Sequence, residues 1–143
     1  MKNLCLWLVS LLFFIWVPTA SAQTAEAPPP PTPEIPSSLT VSEAAIATGM
    51  EGLTPQGAAD SFESSVGKLY AFTKITGVNE ETLVKHHWFH EDQLMAEVEL
   101  PVRSASWRTY SSKTIAPDMK GQWKVDVTAQ DGTLLKSIPF TIN

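Results

Sequence analysis

The chain has 143 residues, 43% of them hydrophobic, and a formal net charge of −5, which together favour one globular domain rather than several. The acidic balance, with no basic stripe in the sequence, argues against nucleic acid as a partner. The single cysteine, Cys5, lies in the first 22 residues. If these residues are removed, a disulfide, a thiolate metal site and a cysteine nucleophile are all excluded.

The amino-terminal residues have the pattern of a secretory signal peptide. Lys2 precedes an apolar run of 14 residues, Leu4 to Val17, and the small residues Ala20-Ser21-Ala22 follow it. A membrane span needs about 20 apolar residues, so we expect cleavage after Ala22 and no permanent membrane span afterwards. Residues 1–22 are therefore predicted to be a signal peptide. The mature protein is expected in the bacterial envelope, either periplasmic or secreted.

Residues 23–38 are rich in proline. Six prolines fall within this stretch, at positions 28, 29, 30, 31, 33 and 36. Such a run cannot build a hydrophobic core, and it favours the extended polyproline II conformation of a semi-rigid spacer. We predict a disordered linker between the cleavage site and a folded domain, with a ligand motif for a partner as the alternative.

The remaining residues, 39–143, have the pattern of β-strands. Positions 94, 96, 98 and 100 are apolar and would share one face of a strand, while Glu97 and Glu99 lie on the other. Asp131-Gly132 predicts a tight turn between the last two strands. Residues 39–48 fit either a helix or a first strand, and glycines and a proline predict a loop at 49–57. The other predicted strands are 66–75, 82–89, 106–115, 122–128 and 133–142.

No long amphipathic helix interrupts this series of short strands. The sequence therefore predicts an all-β fold, a single antiparallel β-sandwich of immunoglobulin-like type with six or seven strands.

An ordered set of motifs resembles a known family. It consists of His-x-Trp at 86–88, Trp-Arg-Thr-x-Ser-x-Lys at 107–113, Gly-x-Trp-x-Val at 121–125, Asp-Gly-x-x-Leu at 131–135 and a closing Phe140. In this order they resemble the bacterial domain-of-unknown-function family 2914, over roughly Thr40 to Ile142. The resemblance implies a small secreted or membrane-tethered β-rich envelope domain. It implies no catalytic residue.

Three histidines within five positions suggest a metal site. His86, His87 and His90, with Glu91 and Asp92, offer the nitrogen and oxygen ligands that Cu(II), Zn(II) or Ni(II) prefer. On a straight strand the first and last histidines would lie about 13 Å apart, so one metal would require a sharp bend. The alternative is a structural His86 bonded to backbone, with two solvated turn histidines.

The tryptophans and arginines suggest a second kind of site. Trp88 and Trp123 are expected in the core of the sandwich. One interpretation of Trp107 is a third core residue. Its strand neighbours Thr109 and Ser111 are polar, so the alternative is an exposed Trp107 that forms, with Arg108 and Tyr110, a ligand-binding patch for a sugar or a peptide. The other interpretation of Arg108 is a cross-strand ion pair with Glu97 or Glu99, and the same pairing is expected for Arg103.

These observations support three functional hypotheses. The first is a non-enzymatic envelope module that binds an envelope protein or glycan, with no cofactor and an undetermined oligomeric state. The second is a periplasmic metal-binding protein that uses the histidine cluster. The third is a hydrolase whose carboxylate–histidine site would draw on the acidic residues at 60, 63, 91 and 92 and on His90. The sequence contains no G-x-S-x-G, H-E-x-x-H or phosphate-loop motif, which disfavours the enzyme.

Overall fold

The computed structural model describes residues 38–143; the predicted signal peptide and all but the last residue of the predicted linker lie outside the described residues. The described chain forms nine strands and one short 3-10 helix, Ser64–Val66. The strands are β1 (Thr40–Glu51), β2 (Thr54–Ala58), β3 (Ser61–Phe62), β4 (Lys68–Thr76), β5 (Thr82–His90), β6 (Gln93–Val102), β7 (Ser106–Thr114), β8 (Gly121–Ala129) and β9 (Leu134–Ile142). Within residues 38–143, no helix has the length and apolar character to cross a membrane.

The strands form two sheets. Sheet A has the order β2-β1-β4-β7, and sheet B has the order β3-β9-β8-β5-β6. Every pair is antiparallel except β3 with β9, which is parallel. The predicted all-β sandwich is confirmed, and the immunoglobulin-like type stays a prediction.

The first strands are where the structure departs most from the predicted elements. Residues 40–51 form a strand rather than a helix, and most of the predicted loop at 49–57 belongs to a hairpin between β1 and β2. Gly52, with a φ of 58°, supplies the left-handed conformation that the tight turn of this hairpin requires. The short strands β2 and β3 raise the number of strands in residues 38–143 above the predicted six or seven.

The core lies between the two sheets. Trp88 and Trp123 are 0% and 2% exposed, which confirms their predicted core positions. Phe140 lies between them, edge-on to Trp88 with ring centroids 6.2 Å apart and stacked on Trp123 at 6.0 Å. A second cluster fills the other end of the sandwich, and its buried members are Ile75, Val78, Val84, Val102 and Val127.

A β-bulge interrupts the predicted alternation of β6. Trp88 pairs with Ala96, but the next residue, Phe89, pairs with Leu94, so one residue of β6 is extra. As a result Leu94 is 49% exposed, and Met95 packs against the core instead. The prediction that Leu94 lies on the apolar face was therefore wrong, because the bulge shifts the side-chain period by one residue.

Candidate functional site

His86 lies in the interior, within a small network of hydrogen bonds between the sheets. Its side chain is 0% exposed. Nδ1 lies 2.7 Å from the Ser111 hydroxyl on β7, and Nε2 lies 3.1 Å from the Thr73 hydroxyl on β4. The indole N–H of Trp88 donates to the same Ser111 oxygen at 3.1 Å. The partners of His86 are thus side chains rather than the backbone that the sequence suggested.

This network fits a particular tautomer of His86. The Ser111 oxygen accepts from the Trp88 indole; if the Ser111 hydroxyl donates its own proton to Nδ1, then Nε2–H donates to Thr73. Burial and, to a smaller extent, the neighbouring His87 together lower the pKa of His86 to about 4. His86 is therefore a neutral structural residue at neutral pH.

His87 lies on the opposite side of sheet B. Its Nδ1 lies 3.3 Å from Glu97, and its Nε2 lies 3.0 Å from the Thr128 hydroxyl. Glu97 also bonds Lys85 at 3.2 Å. This is a carboxylate–histidine pair, but it stands on the outer face of a sheet among other ion pairs, rather than in a cavity.

His90, Glu91 and Asp92 lie at the turn between β5 and β6. Nε2 of His90 lies 2.8 Å from the Lys120 carbonyl, and its ring stacks on Trp123 with centroids 4.6 Å apart. Glu91 and Asp92 have φ angles of 48° and 64°, and the Glu91 carboxylate accepts the backbone N–H of Gln122 at 2.9 Å. These contacts join the turn to β8 and its preceding loop.

The predicted metal ligands are therefore not brought together. His86 faces the interior, His87 the outer face of sheet B and His90 the end of the sandwich. In the part of the chain that the structure describes, no group of three or more His, Cys, Asp or Glu side chains could hold a metal ion.

The predicted ligand-binding patch is divided between two faces of β7. Trp107 pairs with Ile75 and packs half-buried against the core, whereas Arg108 and Tyr110 point away from it. The prediction of an exposed Trp107 was wrong, because the polar neighbour Ser111 lies inside, where His86 and Trp88 bind its hydroxyl.

Arg108 and Tyr110 lie instead beside residues of β4 on the outer face of sheet A. Tyr110 is 38% exposed and meets Tyr70 edge-on with centroids 5.9 Å apart. The Arg108 guanidinium lies 6.0 Å from the ring centroid of Phe72, which is fully buried. Two lysines occupy the same face at the ends of β4. We call this surface the sheet A patch; its members are Lys68, Tyr70, Phe72, Lys74, Arg108 and Tyr110.

The cations of the sheet A patch form no ion pair within residues 38–143, although Glu43 on β1 lies opposite Lys74 in the strand register. The carboxylates of Glu97 and Glu99, which the sequence offered to Arg108, lie on sheet B and bind Lys85 at 3.2 and 3.0 Å. Arg103 meets Glu81 at 3.3 Å. The predicted pairings of Arg103 and Arg108 with Glu97 or Glu99 were therefore wrong. For Arg108 the reason is that β6 and β7 belong to different sheets.

Two aromatic members of the patch were missed by sequence reasoning. A signal was present, because the predicted strand at 66–75 alternates between two sets of side chains. Leu69, Ala71 and Ile75 form the buried set, which leaves Tyr70 and Phe72 on the other face. Sequence reasoning took both aromatic residues only as evidence for a strand.

Residues 81–142 match the model of a family described as protein of unknown function, DUF2914. The DUF2914 match confirms the resemblance inferred from the motifs, and it includes β5 to β9. It begins at residue 81, later than Thr40, where the predicted resemblance began. No curated protein matches the chain.

Proposed function

We propose that this protein is a non-enzymatic module of the bacterial envelope that binds an envelope protein or glycan through the sheet A patch. The observation that carries the proposal is the combination of tyrosine rings and cations without an ion pair on the outer face of sheet A, around the buried Phe72. Aromatic rings and arginine are the residue types most enriched at binding hot spots.

The electrostatics of the patch support a partner that is anionic or rich in acceptors. Lys68, Lys74 and Arg108 form no ion pair within residues 38–143, so their charges are free to meet those of a ligand. Such charges mainly increase the rate of association and the specificity, while ring contacts with Tyr70 and Tyr110 would provide the buried area.

The enzymatic alternative has weaker support. Among the described side chains, His87 and Glu97 form a carboxylate–histidine contact on the outer face of sheet B. Glu97 also pairs with Lys85, and His87 also contacts the Thr128 hydroxyl. General acid–base catalysis requires a substrate held against such a pair, usually in a concave site. We therefore propose binding rather than catalysis.

Co-sedimentation with an isolated envelope fraction tests the proposal. We expect the chain from Gln23 to Asn143 to sediment with the fraction and to be released as salt is raised. The double variant Arg108→Ala/Tyr110→Ala should lose at least about tenfold in affinity, which corresponds to about 1.4 kcal/mol.

The matched control removes one ring and one cation from the other sheet. Phe89 and Lys124 lie on the outer face of sheet B, with the ammonium 4.9 Å from the ring centroid. Phe89→Ala/Lys124→Ala should retain binding. Equal losses in the two double variants, or no sedimentation at all, would contradict the proposal. Digestion of the fraction with a protease or with a glycan hydrolase then distinguishes a protein partner from a glycan.

A further inference from the structure

Within residues 38–143, the two sheets end in four edge strands, and three of these have features that prevent pairing with another chain. The edges are β2 and β7 in sheet A and β3 and β6 in sheet B. Strand β2 has five residues and includes Pro55, and β3 has two residues. Strand β6 contains the bulge near Met95 and also Pro101. Short length, proline and bulges are the usual protection of an edge strand.

Strand β7 has none of these features. Its nine residues, Ser106–Thr114, include no proline or glycine and pair with β4 in an unbroken register. The N–H of Ile115 donates to the Gly67 carbonyl, so the odd-numbered residues of β7 bond β4 in the alternating antiparallel pattern. The backbone N–H and C=O groups of the even-numbered residues therefore point away from β4. The Ser106 carbonyl fits this direction, since it accepts from the Ser104 hydroxyl.

Strand β7 is self-complementary when two copies pair in antiparallel fashion about its midpoint. Tyr110 is the fifth of its nine residues, so a twofold axis there pairs the whole strand and places Tyr110 opposite its equivalent. The even-numbered residues then form the hydrogen-bonded pairs. Arg108 lies opposite Ser112 and Lys113 lies opposite Trp107, so neither cation meets a like charge. An axis at Arg108 would instead place two guanidinium groups opposite each other, which disfavours that register.

We propose that two copies of this chain pair edge to edge through β7 and form a dimer in which two four-stranded sheets become one sheet of eight strands. The dimer goes beyond the proposed function and does not depend on it. It supplies hydrogen-bond partners for the outward backbone groups of β7, and it places the sheet A patches of the two copies side by side. A single strand pair is a small interface, so we expect a weak dimer that forms as the protein concentration rises.

Sedimentation equilibrium of the chain from Gln23 to Asn143 measures the dissociation constant of the dimer. Ser112→Lys places a cation opposite Arg108 of the partner copy, twice in each dimer, and should raise the dissociation constant at least about threefold. Ser112→Glu places a carboxylate there and should lower it. A general charge effect predicts the opposite order, because the chain has a net charge of −5 and an added lysine would reduce repulsion between copies.

The matched control places the same charge on a protected edge. Gln93 is exposed at the start of β6, and Gln93→Lys should not weaken the dimer. Arg108→Glu in the Ser112→Lys background should restore dimerisation, because the two new charges attract each other across the axis. Circular dichroism shows whether each variant is folded. A monomer at every concentration, or equal effects of Ser112→Lys and Ser112→Glu, would overturn the inference. These measurements contain no envelope fraction, so the dimer and the proposed function fail separately.

Discussion

The interior network and the sheet A patch lie on the same two strands, one residue apart. Thr73 and Ser111 point inward to His86, whereas their chain neighbours Phe72 and Tyr110 point outward. Among the described residues, every buried side-chain nitrogen and oxygen has a hydrogen-bond partner. The cations of the patch have no ion-pair partner among the same residues.

Because of this difference, the inner face of sheet A contributes to folding, and its outer face is available for binding. A buried polar group without a partner destabilises the fold by about 1–3 kcal/mol, so the interior residues are constrained by each other. A cation in water incurs no such cost and can stay unpaired until a ligand arrives. Substitutions inside should therefore change stability, while substitutions on the patch should change binding.

The largest contrast should come from two aromatic residues. Trp88→Ala should lower the free energy of unfolding by about 3–5 kcal/mol, because it leaves a cavity in the core. Tyr110→Ala, at a position that is 38% exposed, should lower it by less than about 1 kcal/mol. Urea unfolding monitored by circular dichroism measures both values. Similar losses for the two variants would refute the division between interior and patch.

Acid should destabilise the protein through His86. Its pKa of about 4 in the folded state lies below the ordinary 6.5, so the unfolded chain binds this proton more readily than the folded one. The contribution of neutral His86 to the free energy of unfolding is fully present above pH 6.5. It falls as the pH is lowered towards 4, and below the folded-state pKa it is lost and does not change further. Its loss is on the order of 3 kcal/mol.

Unfolding free energies measured between pH 7 and 4 test this dependence. His86→Gln should be less stable at pH 7 and should show a shallower decline with acid. His87→Gln is the matched control on the outer face, and it should retain the decline. If the decline is unchanged in the His86 variant, another group is responsible for it.

Two adjacent serines provide a finer test of the same contrast. Ser111→Ala removes the partner of both His86 Nδ1 and the Trp88 indole, which should cost about 1–3 kcal/mol of stability. Ser112→Ala, one residue further and on the exposed face, should stay within about 0.5 kcal/mol of the parent. Thermal unfolding of the two variants measures the difference. A larger effect at Ser112 would be inconsistent with the described orientation of β7.

The smallest effect concerns lysines on the two outer faces. The carboxylates of Glu99 and Glu97 raise the pKa of Lys85, whereas Lys68 on the sheet A patch forms no ion pair within residues 38–143. Lys85→Ala should lower the unfolding midpoint slightly at low salt, and the loss should vanish at high salt because exposed pairs are screened. Lys68→Ala should show no such salt dependence. Matching salt profiles would remove the distinction between the two faces.

Much of the fold could be predicted from the sequence where a local pattern determined it. Asp131-Gly132 lies in the turn between β8 and β9, and Trp88 and Trp123 lie in the core as expected. These features depend on turn chemistry and on period-two alternation, which are properties of neighbouring residues.

The site was harder to predict because it depends on the pairing of distant strands. The polar residues of β7 suggested that Trp107 was exposed, since nothing local shows that Ser111 would meet His86 from the other sheet. The bulge at Met95 reversed the orientation of Leu94 for a similar reason, because it arises from the register with β5. Arg108 appeared to have carboxylate partners until β6 and β7 were assigned to separate sheets.

The boundary of the DUF2914 match has a consequence for anyone who isolates the matched segment. Residues 81–142 include β7 but omit β4, the hydrogen-bonded neighbour of β7 in sheet A. They also omit Thr73 and Ile46, so His86 would lose a hydrogen-bond partner and Trp88 part of its apolar surroundings. Such a fragment would expose the inner surface of sheet B to water and should aggregate. We therefore expect the smallest autonomously folding unit to begin near Ser38, well before the segment that matches the DUF2914 model.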